Sequence, residues 1–368
     1  MKILLSLVLF LTIFTNYESS CEKASCSYRM VQSKYYSCFL EVIPSSDESY
    51  SNSMLQKYTE LSGDHNGGSD DSVELLVDNE VNSYIFPTIV CEKFKNLKYF
   101  YLHYSPITRL TGTCLDKCEN LEMINILGTD IRRIEHDSFK SLSKLKELTI
   151  TRTKIQNIPE SLLVNNLNLT EIHISGNKLT YLKENVFKNQ INLKVLSLPN
   201  NKIEGFPKLF FNSLINLESL NLMDNKIANL SSIWFETLVN LKQLHLSGNL
   251  IVDLPKSMFS KQLKLEKLDL SNNLIKFIHD DSLGTLPNAI NLQRNKIKGI
   301  DEMFILNLMN ANKTVAMASN PCTKDSENLS EKEIDYDISP SQLDAEFWNE
   351  IDECLDSYVP RNENFCEF

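Results

Sequence analysis

The 368-residue sequence predicts an α/β repeat solenoid, in which about ten repeats of 24 residues stack into a horseshoe with a concave parallel β-sheet. The first observation is a leucine that recurs every 24 residues over eight rows without a slip. These leucines are Leu97, Leu121, Leu145, Leu169, Leu193, Leu217, Leu241 and Leu265. The second is a pair of apolar columns three and five residues further on, which gives the alternation of a strand with one buried face.

The third observation is a column of asparagines after the strands, at Asn177, Asn201, Asn225, Asn249 and Asn273. An asparagine side chain offers two donors and an acceptor, so we expect it to satisfy backbone groups where the chain leaves the sheet. The first three rows have Ser105, Thr129 and Thr153 there, which can make fewer bonds. Two irregular rows complete the solenoid, and their repeat residues are Ile290, Leu292, Asn295, Val315, Met317 and Asn320.

Residues 1–20 are expected to be a secretory signal peptide. Lys2 precedes an apolar run from Ile3 to Phe14, which is too short to cross a bilayer but suits a signal sequence. An uncleaved signal anchor is the alternative. No later stretch approaches the roughly 20 apolar residues of a membrane span. The sequence therefore predicts a secreted, extracellular protein with no membrane span.

The flanks of the solenoid are predicted to be caps, because the ends of a stacked core must be covered. Residues 21–90 form the N-terminal cysteine-containing cap, which includes a strand-like segment from Val73 to Val77. The repeats occupy residues 91–320. Residues 321–368 form the C-terminal cap, with an acidic loop and an amphipathic helix that starts at Ser339-Pro340.

Nine cysteines, all beyond the signal peptide, predict disulfides in an exported chain, and no zinc-ligand spacing is present. Cys91 and Cys118 are the favoured pair because they occupy late positions of consecutive coils, with Cys114 as the rival. Cys322 is expected to pair with Cys354. The predicted disulfide cysteines are Cys26, Cys38, Cys91, Cys118, Cys322 and Cys354. An odd count leaves one thiol free or paired with another chain, for which Cys366 is the candidate.

Other sequence features narrow the partner class. Four N-glycosylation sequons begin at Asn168, Asn229, Asn312 and Asn328. The formal net charge is −11, which argues against nucleic-acid binding because such proteins neutralise phosphates with Lys and Arg. A protein ligand or a cell or microbial surface component is the expected partner, with a disulfide-linked oligomer as a further expectation.

The repeat pattern L-x-x-L-x-L-x-x-N-x-L resembles that of extracellular leucine-rich-repeat proteins. The segments Tyr36-Ser-Cys38-Phe-Leu-Glu-Val and Ile89-Val-Cys91-Glu-Lys-Phe-Lys-Asn-Leu97 are similar to those of secreted dipteran insect immune and adhesion members. Toll-type receptor ectodomains are a more distant likeness. The resemblance implies the horseshoe fold and an extracellular recognition role, such as one in innate immunity.

Solvent-facing strand positions supply the candidate ligand-binding residues. The first two rows place aromatic and sulfur-containing side chains together, a composition enriched in interface cores. The predicted binding residues are Tyr99, Tyr101, His103, Tyr104, Met123, Leu127, His173, His245 and Asp269. The alternative for the first two rows is that the N-terminal cap folds over them.

Catalysis is not expected on this face. His173 and His245 lie three strands apart, about 14 Å, too far to share a metal. His245 and Asp269 are adjacent, a pair we interpret as a solvated sheet contact. Phosphate-binding loops and nucleophile elbows are absent from the sequence. We therefore predict a secreted, non-enzymatic binding protein without cofactor or metal, with a structural or adhesion component that self-associates as the alternative.

Overall fold

The computed structural model describes residues 23–31, 35–43, 60–62, 75–79, 89–284, 286–310 and 313–321, with side chains described only within 91–321. The predicted signal peptide and C-terminal cap lie outside these residues. So do the side chains or whole residues of Cys26, Cys38, Cys322, Cys354, Cys366, Asn312 and Asn328.

Strands dominate the described part of the chain. In chain order they are β1 Lys23–Val31, β2 Tyr35–Ile43, β3 Glu60–Ser62, β4 Leu75–Asn79, β5 Tyr99–His103, β6 Arg109–Leu110, β7 Met123–Leu127, β8 Arg133–Ile134, β9 Glu147–Thr151, β10 Glu171–His173, β11 Val195–Ser197, β12 Ser219–Asn221, β13 Gln243–His245, β14 Lys267–Asp269, β15 Phe277–Ile278, β16 Ala289–Asn291, β17 Gly299–Ile300 and β18 Thr314–Ala316. Two helices are α1 Ile89–Lys93 and α2 Glu302–Asn310, and a 3₁₀ turn covers Ser232–Phe235.

One sheet contains the strand of every repeat. Its order is β3-β1-β2-β4-β5-β7-β9-β10-β11-β12-β13-β14-β16-β18, and neighbouring strands are parallel except β1 and β2. The repeats pair in register, so that Leu148, Ile172 and Leu196 lie side by side. Between β5 and β18 this sheet contains ten strands, one from each repeat, which confirms the predicted stack of about ten repeats. β4 overlaps the strand-like segment predicted at Val73 to Val77.

The leucine columns form the core, as predicted. Strand residues alternate between buried and partly exposed, which places one side of the sheet inside and the other in solvent. A further core column, on the side of the coils away from the sheet, consists mainly of phenylalanine rings. These fully buried rings are Phe139, Phe187, Phe211, Phe235 and Phe259. Because each row packs on its neighbours, the burial is continuous along the solenoid.

Buried asparagines hold the turns, which confirms the role expected of that column. Asn225 is 7% exposed, and its Nδ2 donates to the carbonyl oxygens of Leu198 and Leu222, both at 3.0 Å. Its Oδ1 accepts the backbone N–H of Ile203 at 3.0 Å. Within the described residues, by contrast, the buried hydroxyls of Ser105 and Thr129 have no hydrogen-bond partner. The first rows are therefore less well satisfied than the middle ones.

A column of left-handed residues stands immediately before these buried polar positions. Its members are Tyr104, Gly128, Arg152, Gly176, Asn200, Asp224, Gly248, Asn272, Arg294 and Ser319, with φ between 52° and 67°. Glycine, asparagine and aspartate adopt this conformation at the least cost. Gly128 is required for a second reason, because an added Cβ would lie 2.7 Å from Cδ1 of Tyr104.

The structure contains the Cys91–Cys118 disulfide, which confirms the favoured pairing over its rival. The two Cα atoms are 5.0 Å apart, and Cys91 lies in α1 at the entrance to the repeats. Cys114 is a buried free thiol that contacts Thr111, with its Sγ 3.2 Å from the threonine Oγ1. The helix α2, which packs Phe304 into the core, was not predicted from the repeat pattern.

Candidate functional site

The first two repeats bring six of the predicted binding residues together. β5 and β7 are neighbours, and the register pairs Tyr99 with Met123, Tyr101 with Asn125 and His103 with Leu127. Tyr104 follows β5 directly. We call this surface the aromatic face; its residues are Tyr99, Tyr101, His103, Tyr104, Met123 and Leu127.

Ring contacts organise the aromatic face. The rings of Tyr101 and His103 meet edge to face, with centroids 5.6 Å apart and an interplanar angle of 84°. His103 meets Tyr104 in the same manner at 6.3 Å. Edge-to-face pairs are favourable because the positive edge of one ring meets the negative face of the other. The three side chains therefore form one ordered cluster.

Hydrogen bonds to the next strand fix this cluster. The Tyr101 hydroxyl donates to Sδ of Met123 at 3.3 Å, and Nε2 of His103 lies 3.2 Å from Oδ1 of Asn125. Tyr101 and His103 are half-buried, whereas Tyr104 is 55% exposed. The cluster thus presents an accessible ring on a constrained base.

The remaining predicted binding residues lie elsewhere on the sheet and do not join the aromatic face. His173 on β10 approaches its own-strand neighbour Glu171, with Nε2 3.3 Å from Oε2. Asp269 on β14 stands beside His245 in register, but its Oδ1 accepts the N–H of Ser271 at 3.0 Å and the hydroxyl at 2.7 Å. The side chains of His173 and Asp269 therefore belong to local contacts in their own rows.

A pair of carboxylates was not singled out from the sequence. Glu147 and Glu171 are register partners on β9 and β10. Partial burial raises the pKa of Glu147 above its ordinary value, the negative charge of Glu171 raises it further, and His173 and a hydrogen bond from Thr149 oppose the rise. The sequence signal was two glutamates 24 residues apart, which register places side by side.

Glu147 provides a pH-dependent test of this register. Because its pKa is raised by folding, its favourable contribution to stability is present below the unfolded pKa near 4.5 and is lost as the pH rises through the folded pKa. We expect Glu147→Gln to unfold at a higher urea concentration than wild type at neutral pH. The difference should vanish in acid below the unfolded pKa.

The matched control is Glu122→Gln, which removes the carboxylate that pairs with Lys146 at 2.7 Å. This change should not stabilise the protein at neutral pH, because it removes an attraction rather than a repulsion. Equal stabilisation by both variants would contradict the proposed interaction between Glu147 and Glu171.

Two sequons fall within the described residues. Asn168 and Asn229 are both exposed. Nδ2 of Asn168 donates to the carbonyl oxygen of Ser143 at 2.8 Å. Asn229 lines a cavity of about 540 Å³ together with Tyr181 and Trp234. Both positions remain predicted glycosylation sites.

The described ranges can also be considered for metal ligands and membrane-spanning helices. No group of three or more His, Cys, Asp or Glu residues there is arranged to hold a metal ion. No helix in the same ranges is both long and apolar enough to cross a membrane.

Comparison with known proteins supports the repeat assignment. The model of the BspA type leucine-rich repeat region matches six times, including residues 81–194, 108–236 and 156–283, which together span more than half of the chain. No curated protein sequence matches significantly.

Solved structures share the fold at low sequence identity. The Toll chain of a Drosophila Toll–Spatzle complex is 24% identical with a TM-score of 0.63, over 68% of this chain and 34% of Toll. The Leptospira interrogans protein LIC12759 is 20% identical with a TM-score of 0.55, over 72% and 73%. A chain from the complex of Latrophilin 3, Unc5D and FLRT2 is 18% identical with a TM-score of 0.58, over 73% and 84%. This chain spans about a third of the Toll chain.

Proposed function

The chain belongs to the BspA type leucine-rich repeat family, and we propose that it is a secreted, non-enzymatic binding protein that recognises a protein or microbial surface ligand on the concave face of its sheet. On this proposal its role is in innate immunity, and the aromatic face is the anchor of the ligand. The structures titled as Toll with Spatzle and as Latrophilin 3 with Unc5D and FLRT2 are complexes between proteins, which supports the binding class and leaves the ligand open.

The observation that carries the proposal is the conformation of Tyr104. Its φ is 54°, a region that costs a bulky residue roughly 1 to 2 kcal/mol. Glycine, asparagine or aspartate fills the equivalent position in most other rows. Tyr104 instead places an exposed aromatic ring over Gly128. An exposed tyrosine held rigidly in this way is a suitable anchor for a protein interface.

Affinity capture from extracellular fluid tests the proposal. The folded, secreted protein is used as bait, and bound proteins are identified by mass spectrometry under reducing and non-reducing conditions. We expect a specific partner that is lost on Tyr101→Glu, because a charge there disrupts the ordered rings and adds an unpaired carboxylate to the anchor. Ser247→Ala is the control, since Ser247 lies six rows away on the same column as His103.

The same experiment separates the alternative function. Recovery of only the protein's own chain, linked through disulfides, would favour an extracellular structural or adhesion component. Equal loss of a partner on Tyr101→Glu and Ser247→Ala would remove the aromatic face from the proposal. A partner retained by both variants would place the binding surface elsewhere.

A further inference from the structure

The rim of the sheet where the chain enters each strand carries an unexpected line of aliphatic side chains. Five successive rows have an exposed aliphatic residue two positions before the repeat leucine, and we call them the rim stripe: Leu167, Ile191, Ile215, Val239 and Leu263. Four of them are 46–51% exposed and Leu263 is 77% exposed. At about 4.8 Å per row they form a continuous apolar line, and continuous exposed apolar surface marks interaction sites.

An asparagine ladder beside the rim stripe holds its backbone in place. Nδ2 of Asn192 donates to the carbonyl oxygen of Leu167 at 3.0 Å, and Asn216 and Asn240 repeat this bond to Ile191 and Ile215 at 2.9 Å. Each bond links one row to the next. The spacing of the aliphatic side chains is therefore fixed before any partner binds, which lowers the entropic cost of association.

Next to this ladder runs a row of alternating charges. Lys194, Glu218, Lys242 and Glu266, the charge row, occupy the position before β11, β12, β13 and β14. The side chains of Asn192, Asn216 and Asn240 line a shared groove with the first three of these residues. Within one chain Lys242 already pairs with Glu218 at 2.6 Å. The rim stripe and the charge row thus belong to one surface.

We propose that this surface is the interface of a two-fold dimer, in which the rim stripes of two copies of the chain lie antiparallel. A second copy carries aliphatic side chains at the same fixed spacing, so the two lines can interdigitate along their length. A two-fold axis across the stripe, between the rows of Ile215 and Val239, places Ile191 against Leu263 of the second copy. It also places Ile215 against Val239 of the second copy.

Charge complementarity selects this register. The same axis brings Lys194 opposite Glu266 of the second copy and Glu218 opposite Lys242 of the second copy, and the symmetry repeats each pair. All four positions of the charge row then meet an opposite charge. In the asparagine ladder, Asn216 meets Asn240 of the second copy, which introduces no repulsion.

Neighbouring registers bring like charges together. An axis through the row of Ile215 places Glu218 against Glu218 of the second copy. It also places Lys194 against Lys242 of the second copy. An axis between the rows of Ile191 and Ile215 pairs Lys194 with Glu218 but leaves Lys242 opposite the uncharged Thr170 and places Lys144 against Lys264. Like charges in contact disfavour wrong registers and so give specificity. The alternating sequence of charges therefore fits one antiparallel arrangement best.

A charge swap tests the dimer. The full-length secreted protein is freed of N-glycans, because the predicted glycosylation site Asn168 lines the same groove. It is then treated with iodoacetamide to block free thiols, and its mass is followed by sedimentation velocity over a range of concentrations. We expect a reversible monomer–dimer equilibrium. Lys194→Glu should weaken the dimer about tenfold, because two attractive contacts become repulsive. Glu266→Lys should have the same effect, and the double variant should restore wild-type affinity.

Rescue by the double variant cannot arise within one chain, because residues 194 and 266 lie three rows, about 14 Å, apart. Lys202→Glu is the control. It makes the same charge change on the side of the sheet where the chain leaves the strands, just after Asn201, and should leave the dimer intact. A protein that stays monomeric at every concentration would overturn the proposal. So would a double variant as weak as either single change. Ligand capture by the aromatic face does not enter this experiment.

Discussion

Replacing Asn225 with alanine is expected to lower the free energy of unfolding by about 3 kcal/mol. The side chain is buried and bonds to its own row and to the preceding one, through the carbonyls of Leu222 and Leu198 and the N–H of Ile203. Alanine leaves that N–H buried without its acceptor, and the amide is replaced by a small cavity. Urea unfolding followed by circular dichroism measures the loss.

The matched control is Asn216→Ala. Asn216 is exposed, and its Nδ2 donates one hydrogen bond to the carbonyl oxygen of Ile191 at 2.9 Å. Water can replace that bond, so the loss should stay below about 1 kcal/mol. If the two variants lost equal stability, the buried asparagine column would not be what holds the turns.

The contrast between these asparagines shows why so much of the fold was readable in the sequence. Stacking places equivalent positions of successive rows in equivalent surroundings. The same residue type is therefore needed at the same position of each row, and it recurs in the sequence. The leucine column from Leu97 to Leu265 predicted the strands in this way. The asparagine column from Asn177 to Asn273 predicted the turns. The α2 helix, Glu302–Asn310, was not predicted from the repeat pattern, because it occurs in one row alone and its residues do not recur at the same position of other rows.

The column of left-handed residues was not predicted from the sequence for another reason. Gly176, Asn200, Asp224, Gly248 and Asn272 are residue types that suit positive φ, but Tyr104, Arg152 and Arg294 interrupt the pattern. A sequence pattern records residue type, whereas the backbone conformation is imposed by the neighbouring rows. The residue least suited to the column, Tyr104, is the one on which the proposed binding site depends.

The composition and the position of the candidate site were predictable from the sequence, but its side-chain contacts were not. The strand alternation placed Tyr101, His103 and Met123 on one side of the sheet, and register on β5 and β7 brings them together as expected. The edge-to-face contacts of Tyr101, His103 and Tyr104 depend on side-chain torsions that no periodicity specifies. The repeat pattern does not predict the rim stripe, because Ile215 and its equivalents lie outside the core columns that define the repeat.

The second large effect is expected from the disulfide at the entrance to the repeats. Cys91 and Cys118 are 27 residues apart, and in the chain-entropy description a loop of this length stabilises the folded state by about 3.5 kcal/mol. The variant Cys91→Ala/Cys118→Ala should lose about that much in urea unfolding. It removes the one disulfide that joins α1 to the coil of the first full repeat within the described residues.

Cys114→Ala provides the control, because it removes a buried thiol that contacts Thr111 but belongs to no disulfide. Its cost should be about 1 kcal/mol, that of a small cavity. A non-reducing peptide map should join the peptides of Cys91 and Cys118. The disulfide ties α1, which precedes the repeats, to the coil of the first full repeat, and so adds to the stability that this repeat gains from the pairing of β5 with β4 and β7. Equal losses for the two variants, or a map that joins Cys114, would contradict this account of the first row.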